Sequence, residues 1–331
     1  MTAMTDGFGR QITYLRLSVT DRCDLRCRYC MPEAMTFLPR RDVLSLGELA
    51  RLAEGMIARG IRRIRLTGGE PLVRKGVMDL VERLGRQVGG GLDELTLTTN
   101  ATRLEACADA LHAAGVRRIN VSLDTLRPER YAALARRPVF GQVLRGIEAA
   151  RQAGLAVKLN TVALKGVNED EFEELVVWAH ERGHAISFIE VMPMGEVDEP
   201  RIGRFYPLSA LRERLEKRFT LTPSLHRTGG PARYADVLET GGRVGFISPL
   251  TENFCAGCNR VRVTATGRLH PCLGGGEEVD LRAALRGADP DGALSDALDA
   301  AMRIKPERHR FEDVLAGSAA GPARHMSRTG G

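Results

Sequence analysis

The sequence predicts an α/β chain folded as a partial (β/α)6 barrel of the TIM type, with an α+β extension behind it. Three observations carry this prediction. Six β-rich runs alternate with helical patterns at fairly regular spacing, which argues for parallel strands joined by helices. Five of the runs are apolar on one face and polar on the other. The alternation then stops near residue 215.

The runs are YLRLSV (14–19), IRRIRLTGG (61–69), ELTLTTN (94–100), RRINVSLD (117–124), AVKLNTVAL (156–164) and AISFIEVM (185–192). Amphipathic segments lie between them, such as LGELARLAEGMIARG (46–60) and EDEFEELVVWAHERG (169–183). A doubly wound sheet and a partial barrel both fit this order. The strand faces separate the two. Leu15 and Leu17 alternate with Tyr14, Arg16 and Ser18, and Ile64 and Leu66 alternate with Arg63 and Arg65. The same holds for Leu95 and Leu97 against Thr96, Thr98 and Asn100, and for Ile119, Val121 and Leu123 against Asn120, Ser122 and Asp124. Val157 and Leu159 alternate with Lys158 and Asn160. A parallel sheet covered by helices on both faces is apolar on both. One polar face therefore favours a barrel whose interior lines something wet. Arg16, Arg63, Arg65 and Lys158 converge there, and buried cations need an anion. No Walker loop and no G-x-G-x-x-G follows a strand, so arginine and lysine side chains would hold any phosphate.

Beyond residue 215, the stretch 220–275 has scattered strands and many glycines, and 277–304 reads as helical. The chain thus divides into a core at 1–215 and a smaller C-terminal unit at 216–331.

At 331 residues the chain is long enough to bury a core without disulfides. It is 43% hydrophobic and 27% charged, which fits a globular protein rather than a disordered one. The first ten residues lack an apolar signal core, and no run of about eighteen apolar residues occurs. The expected location is the cytoplasm, where seven cysteines are metal ligands or buried thiols. The net charge, 48 − 42 = +6, permits an acidic ligand without selecting one.

Cys23, Cys27 and Cys30 follow directly on the first strand, at the strand end that carries function in parallel α/β folds. Iron–sulfur clusters take about one thiolate per iron, so three thiolates leave the fourth iron of a four-iron cluster open. CDLRCRYC is a C-x3-C-x2-C pattern and resembles the signature of the radical S-adenosylmethionine (SAM) enzymes; TGGEP (67–71) is similar to their SAM-binding segment. The resemblance implies a partial barrel, a [4Fe-4S] cluster that binds SAM at its open iron, and reductive cleavage of SAM to a 5′-deoxyadenosyl radical.

A second trio, Cys255, Cys258 and Cys272, flanks CNRVRVTATG. Strand alternation puts Cys258, Arg260, Arg262 and Thr264 on one face. Two readings fit the spacing: a structural zinc site with His270 as fourth ligand, or a second open cluster whose free iron grips a substrate.

The whole pattern resembles the GTP 3′,8-cyclases of molybdenum cofactor biosynthesis. It runs from DGFGRQITYLRLSVTDRC (6–23) through TGGEPLVR, LTTNAT, VSLDTL and FIEVMP to ISPLTENFCAGCNRVRVTATGRLHPCL (247–273) and the closing MSRTGG. The resemblance implies two [4Fe-4S] clusters, one on Cys23, Cys27 and Cys30 and one on Cys255, Cys258 and Cys272. It implies SAM contacts from Tyr29, Gly68, Gly69, Glu70, Ser122 and Met192. It implies GTP contacts from Arg16, Arg63, Arg65, Thr98, Lys158, Arg260, Val261 and Arg262. No acid–base residue is implied, since the radical takes the ribose 3′-hydrogen and C3′ then bonds to C8. Gly330 and Gly331 match a tail that enters the site, although a terminus read alone is expected to fray. The implied partners are an external one-electron reductant and a downstream cyclic pyranopterin monophosphate synthase, with a homodimer left open and neither nucleic acid nor membrane involved. Asp24 stands where asparagine is common, and Ser187 where arginine is common.

Two other functions share parts of the pattern. A radical SAM enzyme acting on RNA or peptide should carry an RNA-binding domain or more C-terminal cysteines. A non-enzymatic Fe–S or zinc module leaves the inward cations unexplained.

Overall fold

A computed structural model of the chain describes residues 3–198, 201–315, 317–318 and 321–330. Its strands are β1 (Tyr14–Ser18), β2 (Arg63–Thr67), β3 (Glu94–Thr99), β4 (Arg118–Ser122), β5 (Ala156–Ala163), β6 (Ala185–Glu190), β7 (Leu221–Pro223), β8 (Arg233–Val237), β9 (Gly242–Ile247), β10 (Arg260–Val263), β11 (Arg268–His270) and β12 (Val279–Asp280). The α-helices are α1 (Leu46–Ala58), α2 (Val77–Gly85), α3 (Ala108–Ala113), α4 (Pro128–Ala135), α5 (Phe140–Gln152), α6 (Phe172–Glu181), α7 (Leu208–Glu216), α8 (Leu281–Arg286), α9 (Pro290–Arg303), α10 (Phe311–Leu315) and α11 (Met326–Thr329).

All twelve strands join one sheet, in the order β12-β11-β10-β1-β2-β3-β4-β5-β6-β9-β8-β7. The six expected strands are neighbours in chain order and parallel, as a partial barrel requires. Two C-terminal strands extend them: β10 pairs parallel with β1, and β9 pairs parallel with β6. Antiparallel hairpins then close each edge. The residues after 215 therefore build onto both ends of the barrel sheet rather than forming a sheet of their own. Helix α9 also packs on the core, with Leu294, Leu298 and Met302 joining the same apolar cluster as Leu49 and Leu52 of α1. At that contact, Arg59 donates to Ser295 Oγ at 2.6 Å and pairs with Asp299.

Register explains the core. Leu15 lies beside Val261 and Ile64, Ile64 beside Leu95, and Leu97 beside Ile119, which lies beside Val157. This apolar row faces the helices and is buried with them. Each such side chain contributes about 1.5–3 kcal/mol. On the other face, Arg262, Arg16, Arg65 and Thr96 form one row, and Thr98, Asn120 and Lys158 the next. This interior is drier than the alternation suggests. Thr96, Asn120 and Ser187 are closed to solvent. Thr96 Oγ1 donates to the Arg118 carbonyl at 2.6 Å, and Asn120 Nδ2 to the Leu97 carbonyl at 3.3 Å. Ser187 is packed against the backbone of Gly245, its partner across the β6–β9 pair, where a Cβ would lie 2.3 Å from Ser187 Oγ.

The stretch 277–304 begins as strand β12 and then forms two helices, not one, because Gly287 ends α8. Among the described residues, no helix is long and apolar enough to cross a membrane.

Candidate active site

The first cysteine loop leaves β1 beside the segment that leaves β2. Val19 N donates to the Thr67 carbonyl, Gly69 N to the Thr20 carbonyl and Glu70 N to the Arg22 carbonyl, at 2.8–2.9 Å. These bonds continue the β1–β2 ladder past its end and bring the two segments together just before Cys23. The approach is too close for side chains. A Cβ on Gly68 would lie 2.3 Å from the Thr20 carbonyl oxygen, and one on Gly69 would lie 2.3 Å from that of Arg22. Gly68 also has φ +151°, which other residues rarely adopt.

Past this contact, Cys23, Cys27 and Cys30 line one cavity of about 1100 Å³, together with Tyr29, Gly68, Gly69, Thr98, Ser122, Asn160 and Met192. Burial pushes all three thiols up, Cys30 to about 11. Three convergent, half-buried thiols, with no fourth cysteine among the described residues of the wall, fit a cluster held at three irons. Bound iron supplies the charge that makes them thiolates.

Thr98, expected at GTP, lines this cavity instead. Glu70, expected at SAM, lies behind the cavity wall. It is fully buried and accepts from Thr99 Oγ1 (2.9 Å), Asn100 N (2.6 Å) and Leu72 N (3.0 Å), so it fixes the end of β3. Tyr29 donates from its hydroxyl to Asp124 at 2.7 Å and leaves its ring on the wall. Burial lifts the Asp124 carboxyl to about 6.

The second trio lines a second cavity of about 890 Å³ with Arg16, Arg65, Phe254, Arg260 and Arg262. Cys255 opens a short turn closed by Cys258 N on the Cys255 carbonyl at 3.0 Å, and β10 follows at once. Register then sets Arg260 beside Tyr14, and Arg262 beside Arg16. Burial and neighbouring guanidinium groups depress Arg16 and Arg262, the latter to about 9. Such crowding of cations favours an anion. Burial raises the Cys258 thiol, but Arg260 and Lys305 outweigh it and bring it down to about 7.

His270 does not line the cavity with the thiols. Its Nδ1 lies 3.3 Å from the Glu277 carbonyl, and its Nε2 lies 3.6 Å from the Glu278 carboxylate. Among the described residues, no three His, Cys, Asp or Glu side chains close on a single metal ion.

Three expected GTP ligands stand elsewhere. Val261 turns its side chain into the apolar core, because it falls on the Leu15 row. Lys158 is buried and directed at Tyr234, donating to its hydroxyl at 2.6 Å. Arg63 sits at the start of β2, half-buried, under the backbone of Gly229. Neither Lys158 nor Arg63 lines the second cavity.

The C-terminal tail does not fray. Ser327 and Thr329 are buried, and Gly330 lines the second cavity. Gly331 lies outside the described residues.

Asn160, Ile189, Met192 and Met326 border both cavities, so the two lie side by side with this wall in common. Buried polar atoms without hydrogen-bond partners face this region, among them Arg65 Nε, Thr98 Oγ1 and Asn160 Oδ1. Such atoms suit a polar ligand. Sequence reasoning passed over Asn160, although its place on the polar face of β5 was visible. It also passed over Phe254, Met326 and Lys305, which carry no periodic or spacing signal.

The chain matches two family models, the Radical SAM superfamily over residues 17–179 and Molybdenum Cofactor Synthesis C over residues 184–311. It is 64% identical over 328 residues to the GTP 3′,8-cyclase of Erythrobacter litoralis, covering 99% of this chain and 98% of that one. It is 57% identical over 328 residues to the GTP 3′,8-cyclase of Rhizobium etli, covering 99% and 94%. Among solved structures, Streptococcus suis SuiB bound to S-adenosylmethionine aligns with a TM-score of 0.61 at 16% identity, over 92% of this chain and 68% of that one. The structure titled native anSMEcpe with bound AdoMet aligns with a TM-score of 0.55 at 12% identity, over 92% and 95%. At those identities the likeness is one of fold.

Proposed function

The chain belongs to the GTP 3′,8-cyclase family of the radical SAM superfamily, and from that premise we infer how its residues divide the work. The enzyme converts GTP to (8S)-3′,8-cyclo-7,8-dihydroguanosine 5′-triphosphate, the first step of molybdenum cofactor biosynthesis. Its [4Fe-4S] cluster and SAM supply one-electron chemistry, yielding the 5′-deoxyadenosyl radical that takes the ribose 3′-hydrogen.

The observation that carries the division is the wall of Asn160, Ile189, Met192 and Met326, common to both cavities. Cys23, Cys27 and Cys30 hold the first cluster in one half. Tyr29, Gly68, Gly69, Ser122 and Met192 seat SAM beside it. Arg16, Arg65, Arg260 and Arg262 hold GTP in the other half, where their crowded charges match a triphosphate. Lys158 and Arg63 act from the margin of that half. Cys255, Cys258 and Cys272 would hold a second [4Fe-4S] cluster, which would supply a binding point for the guanine ring. The placement of His270, turned to Glu277 and Glu278 and away from the three thiols, supports a cluster over zinc. The common wall places the two halves next to each other, which would limit the exposure of a reactive radical to water.

An external one-electron donor feeds the first cluster, and the cyclised nucleotide passes to a separate pyranopterin-forming enzyme. Thiolate ligands suit a reducing compartment, which supports the cytoplasm as the site of this work. The unit boundary at 215/216, just before the end of α7, separates the SAM half from the segment that supplies the second trio.

The test is turnover under anaerobic, reducing conditions. SAM and GTP should give 5′-deoxyadenosine and a cyclised nucleotide of unchanged mass, while ATP gives none. Equal turnover of ATP would refute the GTP assignment. Iron analysis checks the second cluster: about eight irons per chain support it, and about four with one zinc refute it.

A further inference from the structure

Each cysteine segment of the second trio is gripped by a cation from a distant part of the chain. Arg10 Nη1 donates to the Cys255 carbonyl at 2.8 Å. Arg324 Nη2 donates to the Cys272 carbonyl at 3.2 Å, and its Nη1 to that of Gly275 at 2.7 Å. Lys305 differs from both, because it reaches a sulfur. Its Nζ lies 3.7 Å from Cys258 Sγ, 3.0 Å from the Arg260 carbonyl and 2.6 Å from the Pro271 carbonyl. Lys305 is 4% exposed.

An ammonium has three donors, and these three acceptors use them all. Two are neutral carbonyls. A buried cation needs balancing negative charge, and the Cys258 sulfur is the one acceptor of the three that can carry it. The same three contacts tie the Cys258 strand to the segment before Cys272. The first trio is placed differently. Its Cys23 Sγ lies 3.9 Å from Asp24 and 3.8 Å from Asn100, and the buried carboxyls of Glu70 and Asp124 stand nearby. The first trio also has cations near it, with Arg26 donating to the Cys23 carbonyl at 2.7 Å and Arg201 near Cys30, but none of its sulfurs takes a hydrogen bond from a lysine ammonium among the described residues.

We propose that Lys305 is a positioning residue of the second cluster: its ammonium holds Cys258 and the Pro271–Cys272 segment in one geometry and places a fixed positive charge against one cluster sulfur. This rests on the reading of the second trio as a cluster site. Cluster potentials respond to net charge and to hydrogen bonds at sulfur. A fixed cation stabilises the reduced, more negative state, so Lys305 sets the second cluster's potential above the value it would otherwise have. The first cluster, whose ligands lie in another cavity, is not affected.

The test uses the reconstituted holoenzyme with Lys305→Gln and Lys305→Arg. The glutamine amide can still donate to the two carbonyls but brings no charge. Lys305→Gln should keep about eight irons and shift the reduction potential of the second cluster to more negative values, read by electron paramagnetic resonance during a potentiometric titration. The first-cluster signal should stay in place, and Lys305→Arg should restore the second. Selective loss of the second cluster in Lys305→Gln, rescued in Lys305→Arg, also supports the proposal. An unmoved second-cluster potential, or an equal shift of both clusters, overturns it. Loss of all iron in both variants would show a folding role and overturn it as well. Wild-type protein with only about four irons would instead refute the second cluster itself, and the proposal with it.

Discussion

Arg262 Nη1 donates to the Gly330 carbonyl at 3.3 Å, so the end of the chain closes onto the strand that carries the second cavity's arginines. Gly330 adopts φ +77°, and a Cβ there would fall 1.8 Å from Thr67 Oγ1. Gly330→Ala cannot keep this seat. Misplacing a substrate-facing group by about 1 Å can cost on the order of 100-fold in rate. The expected result is a large drop in kcat for GTP with the melting midpoint almost unchanged, because only a terminal turn is displaced. Near-normal kcat would show that the tail plays no part in turnover.

Lys158 donates to the Tyr234 hydroxyl at 2.6 Å, and its ammonium lies 4.9 Å from the ring centroid. Burial, with Arg65 and Arg118 nearby, pushes the Lys158 pKa well down. The tyrosine thus holds a lysine that tends to shed its charge. Tyr234→Phe keeps the ring and removes the acceptor. A hydrogen bond to a charged group contributes about 1.5–3 kcal/mol. If Lys158 serves GTP, KM for GTP should rise by about tenfold, with SAM binding unchanged. Equal weakening of both ligands would argue for a general packing defect.

Arg260 and Arg262 share one face of β10 beside the second trio, while Tyr29, Gly68, Gly69 and Ser122, expected at SAM, line the first cavity and not the second. Replacing either arginine with alanine should weaken GTP binding by about ten- to a hundredfold, the value of a lost charge-assisted contact. SAM cleavage in the absence of GTP should persist. Calorimetry with each ligand separates the two effects, and parallel loss would point to collapse of the shared wall.

How much of this was legible beforehand depended on periodicity. Five of the six core strands alternate cleanly, all six lie where the pattern puts them, and so does the cation row of Arg16 and Arg65, because strand period 2 fixes the face. The C-terminal strands were obscured by their length. Several have only two to four residues, too few for a period to show. Their joining of both edges of the barrel sheet depends on pairing between segments far apart in the chain, such as Tyr14 with Arg260 and Ile186 with Val244, which no local pattern encodes. Glu70 was misplaced for a related reason. Its position after Gly69 suggests a ligand contact, but the chain turns there and sends the carboxylate to the backbone of Asn100. Lys305 lies in an unpatterned IKP segment, and only the folded chain brings it to Cys258.

That turn makes Glu70 the most testable buried carboxyl. Burial raises its pKa from 4.5 to about 7, despite the hydrogen bonds from Asn100, Leu72 and Thr99. Between those two values the folded state binds more proton than the unfolded state. Stability therefore falls as pH rises from about 4.5 through about 7, and this contribution is flat outside that window. At 1.36 kcal/mol per unit, the loss is on the order of 3 kcal/mol at most. Glu70→Gln removes the titration. It also turns a donor toward the Asn100 N–H, so the variant should be less stable overall. The informative quantity is therefore the slope. Between pH 5 and pH 8 the melting midpoint of the wild type should drop further than that of the variant. Parallel slopes would mean that Glu70 stays ionised across the range, held by its three donors against the desolvation that opposes them.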